Sequence, residues 1–149
     1  MKLAESNGWL LLSHPDFDDQ YSTLLREVQK IKKRDGAAFT KHKTVKLLKA
    51  LHTLAFDVIP QDPASPAYLQ GNTLGPDFRA WRRAKVSQQH RLFFRFDSKA
   101  KIIIYVWVND ESTLRSYGKK SDAYRTFEKM LNSGHPPTDW LDLLEEASQ

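Results

Sequence analysis

The spacing of apolar residues switches period midway along this chain, and that switch restricts the fold more than any other feature of the sequence. Between Phe17 and Val58 apolar residues return at three- and four-residue steps, and between Trp81 and Asn109 they alternate. The first pattern is the stripe of amphipathic helices, the second the two faces of strands. A chain written this way lays a helical pair against a sheet, which is an α+β architecture.

The elements follow in order. Residues 8–13 read as a short apolar strand ended by His14-Pro15. Phe17, Tyr21, Leu24, Leu25, Val28 and Ile31 form one helical face, with Lys30, Lys32, Lys33 and Arg34 in the last turn, where cations suit the negative helix end. Asp35-Gly36 stops that helix. A second runs over 40–57 on a stripe of Leu47, Leu48, Leu51, Leu54, Ala55 and Val58, closed by Pro60. A Pro- and Gly-rich loop spans 60–80; loops of this length in a small domain often carry function. Strands are expected at 81–86, 90–96 and 101–109, with residues 97–100 turning an antiparallel hairpin. Ser121-Asp122 caps a helix whose face is Ala123, Phe127, Met130 and Leu131, and a last helix over 138–146 docks with Trp140, Leu143 and Leu144. The expectation is a single domain over 1–149, ordered β-α-α-β-β-β-α-α, with the N-terminal strand and the αα-hairpin packed on an antiparallel sheet and C-terminal helices after it.

The absence of cysteine removes disulfides, thiolate catalysis and cysteine-based zinc sites. No apolar run approaches the ~20 residues of a spanning helix, and the run from Trp9 to Leu12 is too short for a secretory leader. A cytoplasmic protein with no membrane contact is expected.

The net charge is +5, and its distribution says more than its size. Arg79, Arg82, Arg83, Lys85, Arg91 and Arg95 fall between Phe78 and Phe96 with no acid among them, so the rest of the chain nets −1, and the surplus reads as local to the sheet. By alternation Arg91, Phe93 and Arg95 share one strand face, Trp81, Arg83 and Lys85 another, and Tyr105 and Trp107 a third. If the two helices cover the apolar face, the open face presents cations and aromatic rings together. Cations neutralise phosphates and rings stack on bases, so the mixture suits RNA; a solvated, aggregation-resistant sheet face is the plainer reading.

The usual chemical signatures are missing: no phosphate-binding glycine loop, no paired-histidine zinc motif, no nucleophile elbow. His14, His42, His52, His90 and His135 never stand at ligand spacing, so neither a metal nor a cofactor is expected. RNA cleavage needs neither. Its own 2′-hydroxyl can attack the adjacent phosphate while the protein orients it, moves protons and stabilises the phosphorane. Arginine fits phosphate oxygens, and lysine or tyrosine can exchange protons.

Several segments look familiar in combination: NGWLLLSHPDF, SPAYLQGNTLG, HRLFFRF, VNDESTLRSYGKKSDAYRTFEKML and GHPPTDW. Together, in this order and over nearly the whole chain, they resemble the YhaV family of toxins. The resemblance implies a RelE-like fold and the toxin of a type II toxin–antitoxin pair. It implies an endoribonuclease that cleaves mRNA, in RelE relatives often on the translating ribosome, and so inhibits translation. The implied partner is a PrlF-type antitoxin with an AbrB-like part, through which the complex would reach operator DNA. Toxins of the RelE type carry two basic residues on the strand before the hairpin, matched here by Arg83 and Lys85, and an arginine early on the next strand, matched by Arg91. A basic residue follows the last strand, and Arg115, Lys119 and Lys120 compete for that place. A tyrosine opens the final helix; Tyr124 fits, with Tyr117 as competitor.

The resulting assignment gives catalysis to Lys85, Arg91, Arg115 and Tyr124, and RNA contact to Arg82, Arg83, Arg95, Tyr117, Lys119 and Lys120. Two other readings stand beside it: a non-catalytic RNA- or ribosome-binding module regulated by a protein partner, and an interaction protein that docks through the 60–80 loop. An ion pair from Arg91 to Asp110 or Glu111, and a purely packing role for Tyr124 and Trp107, are the plain alternatives at single residues.

Overall fold

The computed structural model describes every residue except 117, 118 and 120. The chain opens with a hairpin. β1 (Lys2–Ser6) pairs antiparallel with β2 (Trp9–Ser13) across Asn7-Gly8, both at positive φ (50° and 81°), as a tight hairpin turn of matching twist requires. The Asn-Gly pair announces this turn, and the expectation of one strand beginning at Gly8 passed over it.

His14 starts α1 (Pro15–Asp35) by accepting the Asp16 N–H on its Nδ1 at 3.1 Å, with Pro15 preset for the first turn. A 3₁₀ turn (Gly36–Lys41) leads to α2 (Lys43–Thr53), capped in the same way by His42. A π turn (Leu54–Val58) then widens the helix by a residue. Ile59 therefore takes the buried place expected for Val58, which is left 42% exposed.

The sheet is mixed, which corrects the antiparallel expectation. Its order is β1-β2-β5-β4-β3, where β3 is Arg82–Lys85, β4 Arg91–Asp97 and β5 Ile102–Val108. β2 runs parallel to β5, while β3–β4 and β4–β5 are antiparallel. The parallel pair is possible because α1 and α2 supply the long crossover that such a pair needs.

A second correction concerns the faces. α1 and α2 cover one face of the sheet, over a core that includes Leu92, Phe94, Ile103 and Tyr105. α3 (Ala123–Asn132) and α4 (Trp140–Ala147) belong to a core on the other face with Phe93, Ile104, Val106 and Trp107. Phe127 stacks on Phe93 and Trp107 at 4.3 and 5.4 Å between centroids, and meets Trp81 edge-on at 5.1 Å. Among the described residues no broad open aromatic face remains. A bulge in β5 opposite Phe93/Phe94 also breaks the alternation. It turns Val106 and Trp107 both towards α3, while Tyr105 faces the other core and donates its hydroxyl to the Ala55 carbonyl.

The 60–80 loop folds around the free edge of β3. Tyr68 packs edge-on against Phe94 on one side, Leu74 is buried on the other, and Leu69 bridges to Arg82. Buried Gln70 holds it together, donating to the Phe78 carbonyl at 2.9 Å and accepting from the Leu74 N–H at 3.1 Å.

Candidate active site

The β3–β4 ladder ends at the pair Lys85↔Arg91, and the turn beyond it returns through Ser87–His90. Arg91 is 5% exposed. Its Nη1 donates to the carbonyls of Ser87 and Gln88, each at 3.0 Å, and of His90 at 3.2 Å; its Nε has no partner. Among the described residues no carboxylate pairs with it, so the ion pair to Asp110 or Glu111 does not form. A desolvated guanidinium without a counter-ion is costly and favours an incoming anion.

Asn109, fully buried at the end of β5, joins this turn to the connection that follows. Its Oδ1 accepts the Arg91 N–H at 2.6 Å, and its Nδ2 donates to the carbonyls of Gln89 and Thr113, both at 2.8 Å. The Gln89 carbonyl also accepts the Arg115 N–H at 2.9 Å. Asn109 and the Gln89 main chain thus set Arg91 and Arg115 relative to each other.

Arg115 is fixed from behind as well. Its Nη1 donates to Asp122 Oδ1 at 2.6 Å, and its guanidinium lies 4.5 Å from the centre of the Tyr124 ring. Asp122 also caps α3 through the N–H groups of Tyr124 and Arg125. Burial would raise the Asp122 carboxyl, but the bonds from Arg115 and Ser116 hold it below its ordinary value. Tyr124 is 6% exposed and accepts the Arg83 Nε–H at 2.9 Å, while Arg83 Nη1 reaches the Ala67 carbonyl.

Lys85, Arg91 and Arg115, with Gln88 and Gln89, line one pocket of about 550 Å³. No acid is among those residues. Three of the four residues expected to be catalytic meet there, and the fourth, Tyr124, lies under Arg115 rather than in the wall. Of the residues expected to touch RNA, Arg83 supports Tyr124 and exposed Lys119 sits in the connection. Tyr117 and Lys120 lie outside the described residues.

Arg82 and Arg95 are not brought to this pocket. Arg82 faces the other side of β3, 5.6 Å from the Phe96 ring, and donates to the Arg79 and Ala80 carbonyls. Arg95 lies between Trp81 and Trp140, at 5.6 and 5.8 Å, and donates to the Thr138 carbonyl. Burial lowers the pKa of both. They are spent on the fold because strand alternation and the position of α4 carry them away from the Lys85 end of the ladder.

Sequence reasoning passed over Asn109, Gln88, Gln89 and the second bond of Asp122. Only Asp122 carried a signal, as a helix cap, and nothing local marks it as the partner of Arg115. Among the described residues no group of His, Asp or Glu is arranged to hold a metal ion, and no helix is long and apolar enough to cross a membrane.

A family of toxins with endonuclease activity from toxin–antitoxin systems matches residues 11–148. The chain belongs to the YhaV toxin family. Toxin YhaV of Escherichia coli O6:H1 and Ribonuclease toxin YhaV of Escherichia coli K12 are each 43% identical to it over 145 residues, covering 96% of this chain and 94% of theirs. No solved structure matches the chain significantly. Family membership draws attention to the cationic pocket, because an endonuclease must neutralise a phosphodiester in its transition state.

Proposed function

We propose that the chain is the ribonuclease toxin of a toxin–antitoxin pair, cleaving mRNA without a metal ion at the Lys85–Arg91–Arg115 pocket and so halting translation and growth. The observation that carries this reading is Arg91, a buried guanidinium facing a cationic pocket with no carboxylate to answer it. The family supports the nuclease class, and the name of the K12 relative supports RNA as the substrate.

The roles divide by position. Arg91 and Arg115 stabilise the phosphorane oxygens, with Tyr124 and Asp122 holding Arg115 in place. The 2′-oxygen forms a bond to phosphorus as its proton passes to water. The bond from phosphorus to the 5′-oxygen breaks, and Lys85 gives that oxygen a proton, leaving a 2′,3′-cyclic phosphate and a 5′-hydroxyl. A strand pair, a helical hairpin and three further strands in succession support a RelE-like fold and, with it, action in the cytoplasm on mRNA engaged by the ribosome. The antitoxin would be of the PrlF type, with DNA contact supplied by its AbrB-like part.

The test is brief, controlled expression followed by mapping of new 5′ ends in cellular mRNA. New ends inside coding regions, lost in Arg91→Ala, are expected; removing one such donor costs about 10²–10³ in rate. A codon phase in those ends would place the reaction on the ribosome. Intact mRNA from folded, well-expressed protein would favour instead an RNA-binding module without chemistry.

A further inference from the structure

The acid-free strand pair is not the only block of positive charge in the sequence. Residues 26–49 hold nine Lys and Arg against two acids, Glu27 and Asp35, so the surplus is not local to the sheet. These residues build the second half of α1, the 3₁₀ turn and α2, and all nine cations are exposed. Of these nine, among the ion pairs of the described residues, only Arg34 takes part in one, with its neighbour Asp35.

On α2 the charges are ordered. Lys43, Lys46 and Lys49 recur at every third position and so form one stripe. Like charges at that spacing repel and weaken a helix, and no acid relieves them. Lys46 and Lys49 share a shallow groove of about 390 Å³ with Lys85, floored by Ala50, Leu54 and Val58. Val58 is there because the π turn moves it outwards. Lys85 is therefore common to two depressions, this groove and the cationic pocket.

The opposite side has the reverse sign. A cleft of about 560 Å³ between α1, α2 and the end of β5 is lined by Asp19, Glu27, Asp110 and Glu111. A phosphate chain leaving the pocket is repelled from that cleft and attracted along α2.

We propose that the groove is the exit path of the substrate: single-stranded RNA bound in the pocket passes Lys85 and continues along α2, with phosphates on Lys43, Lys46 and Lys49 and bases against the apolar floor. This rests on the reading of the pocket as the RNA-cleaving site. An acidic protein segment has the same sign, but continuity with the pocket favours the strand, because a chain cut internally must leave the pocket on at least one side.

The experiment uses fluorescein-labelled 2′-O-methyl oligonucleotides of about 4 and about 12 nucleotides, which bind but have no nucleophile, and reads anisotropy at several salt concentrations. The wild-type chain is expected to hold the longer probe at least ~10-fold more tightly. Lys46→Glu/Lys49→Glu should lose that advantage and bind the shorter probe as before. The slope of log affinity against log salt should fall by about 1.4, from two phosphates at ~0.7 each on a single strand. The neutral pair Lys46→Gln/Lys49→Gln removes the same two phosphate contacts without adding repulsion, so it should show the same fall in slope with a smaller loss of affinity, and it guards against a folding defect. Equal binding of the two probes by wild type, or wild-type binding of the longer probe by the variants, overturns the path. Loss of antitoxin or ribosome binding alone, with affinity for the longer probe intact, overturns it too. Length-dependent binding by a chain that cleaves no RNA would leave the path standing and remove the catalytic reading.

Discussion

Arg115 and Asp122 face each other across the mouth of α3, 2.6 Å from guanidinium to carboxylate, and the same carboxylate caps that helix. One side chain therefore fixes the start of α3 and aims a cation at the pocket. Asp122→Asn keeps an acceptor for the cap but removes the charge that orients Arg115. RNA cleavage is expected to fall by about 10²-fold with the helix intact. In a double-mutant cycle, adding Asp122→Asn to Arg115→Ala should cost no further cleavage, because the amide keeps the cap and the carboxylate's effect on the rate runs through the arginine. Additive losses would assign Asp122 a separate role.

Two cations of the same basic run should separate cleanly. Lys85→Ala is expected to cut the rate of RNA cleavage by about 10²-fold or more while leaving the melting temperature near that of wild type. Arg95→Ala should do the reverse, because it removes the group held between Trp81 and Trp140 that ties α4 to the sheet. A loss of about 1–3 kcal/mol with cleavage largely kept is the expected result. Urea unfolding and a single-turnover cleavage assay on both variants check the pair.

Phe127 carries the second core, stacked on Phe93 and Trp107 and meeting Trp81 edge-on. Phe127→Ala leaves a cavity at that meeting point and should cost about 3–5 kcal/mol in chemical unfolding. Phe127→Leu should recover at least half of that. A loss below about 1 kcal/mol would mean that α3 adds little to the fold.

His90 makes stability depend on pH in a defined sense. Burial lowers its pKa, against the opposing pull of Glu111 and Asp110, and its Nε2 has no partner. The unfolded chain takes up the proton near about pH 6.5, before the folded one does. Stability from this residue is therefore complete above that value and declines as pH falls from it towards the lower folded value. The difference in melting temperature between about pH 7.5 and about pH 5 should shrink in His90→Gln. An unchanged difference would place the dependence elsewhere.

Much of this was legible in the residues themselves. The switch of period located α1, α2 and the three later strands, and local chemistry marked Asp122 as a cap and Gly36 as a stop. Lys85, Arg91 and Arg115, which share one pocket in the structure, were singled out as candidates by charge type and by resemblance. What the sequence hid was tertiary. Alternation assumes a regular strand, so the β5 bulge that parts Tyr105 from Trp107 was invisible. A period cannot say which strand pairs with which, so the parallel β2–β5 contact did not show. Charge counting also does not distinguish a cation in a pocket from one held over indole rings, which is why Arg95 was misplaced.

The parallel pairing of β2 with β5 has a consequence for the order of assembly. Leu10 meets Ile102, so the N-terminal hairpin cannot enter the sheet until about the first two thirds of the chain has been synthesised. Contacts of such high sequence separation close late and slow folding. Arg91 lies on β4, between β3 and β5, and Arg115 comes later still. A growing chain of this kind therefore completes the cationic pocket only after Arg115, beyond the last strand, has been made.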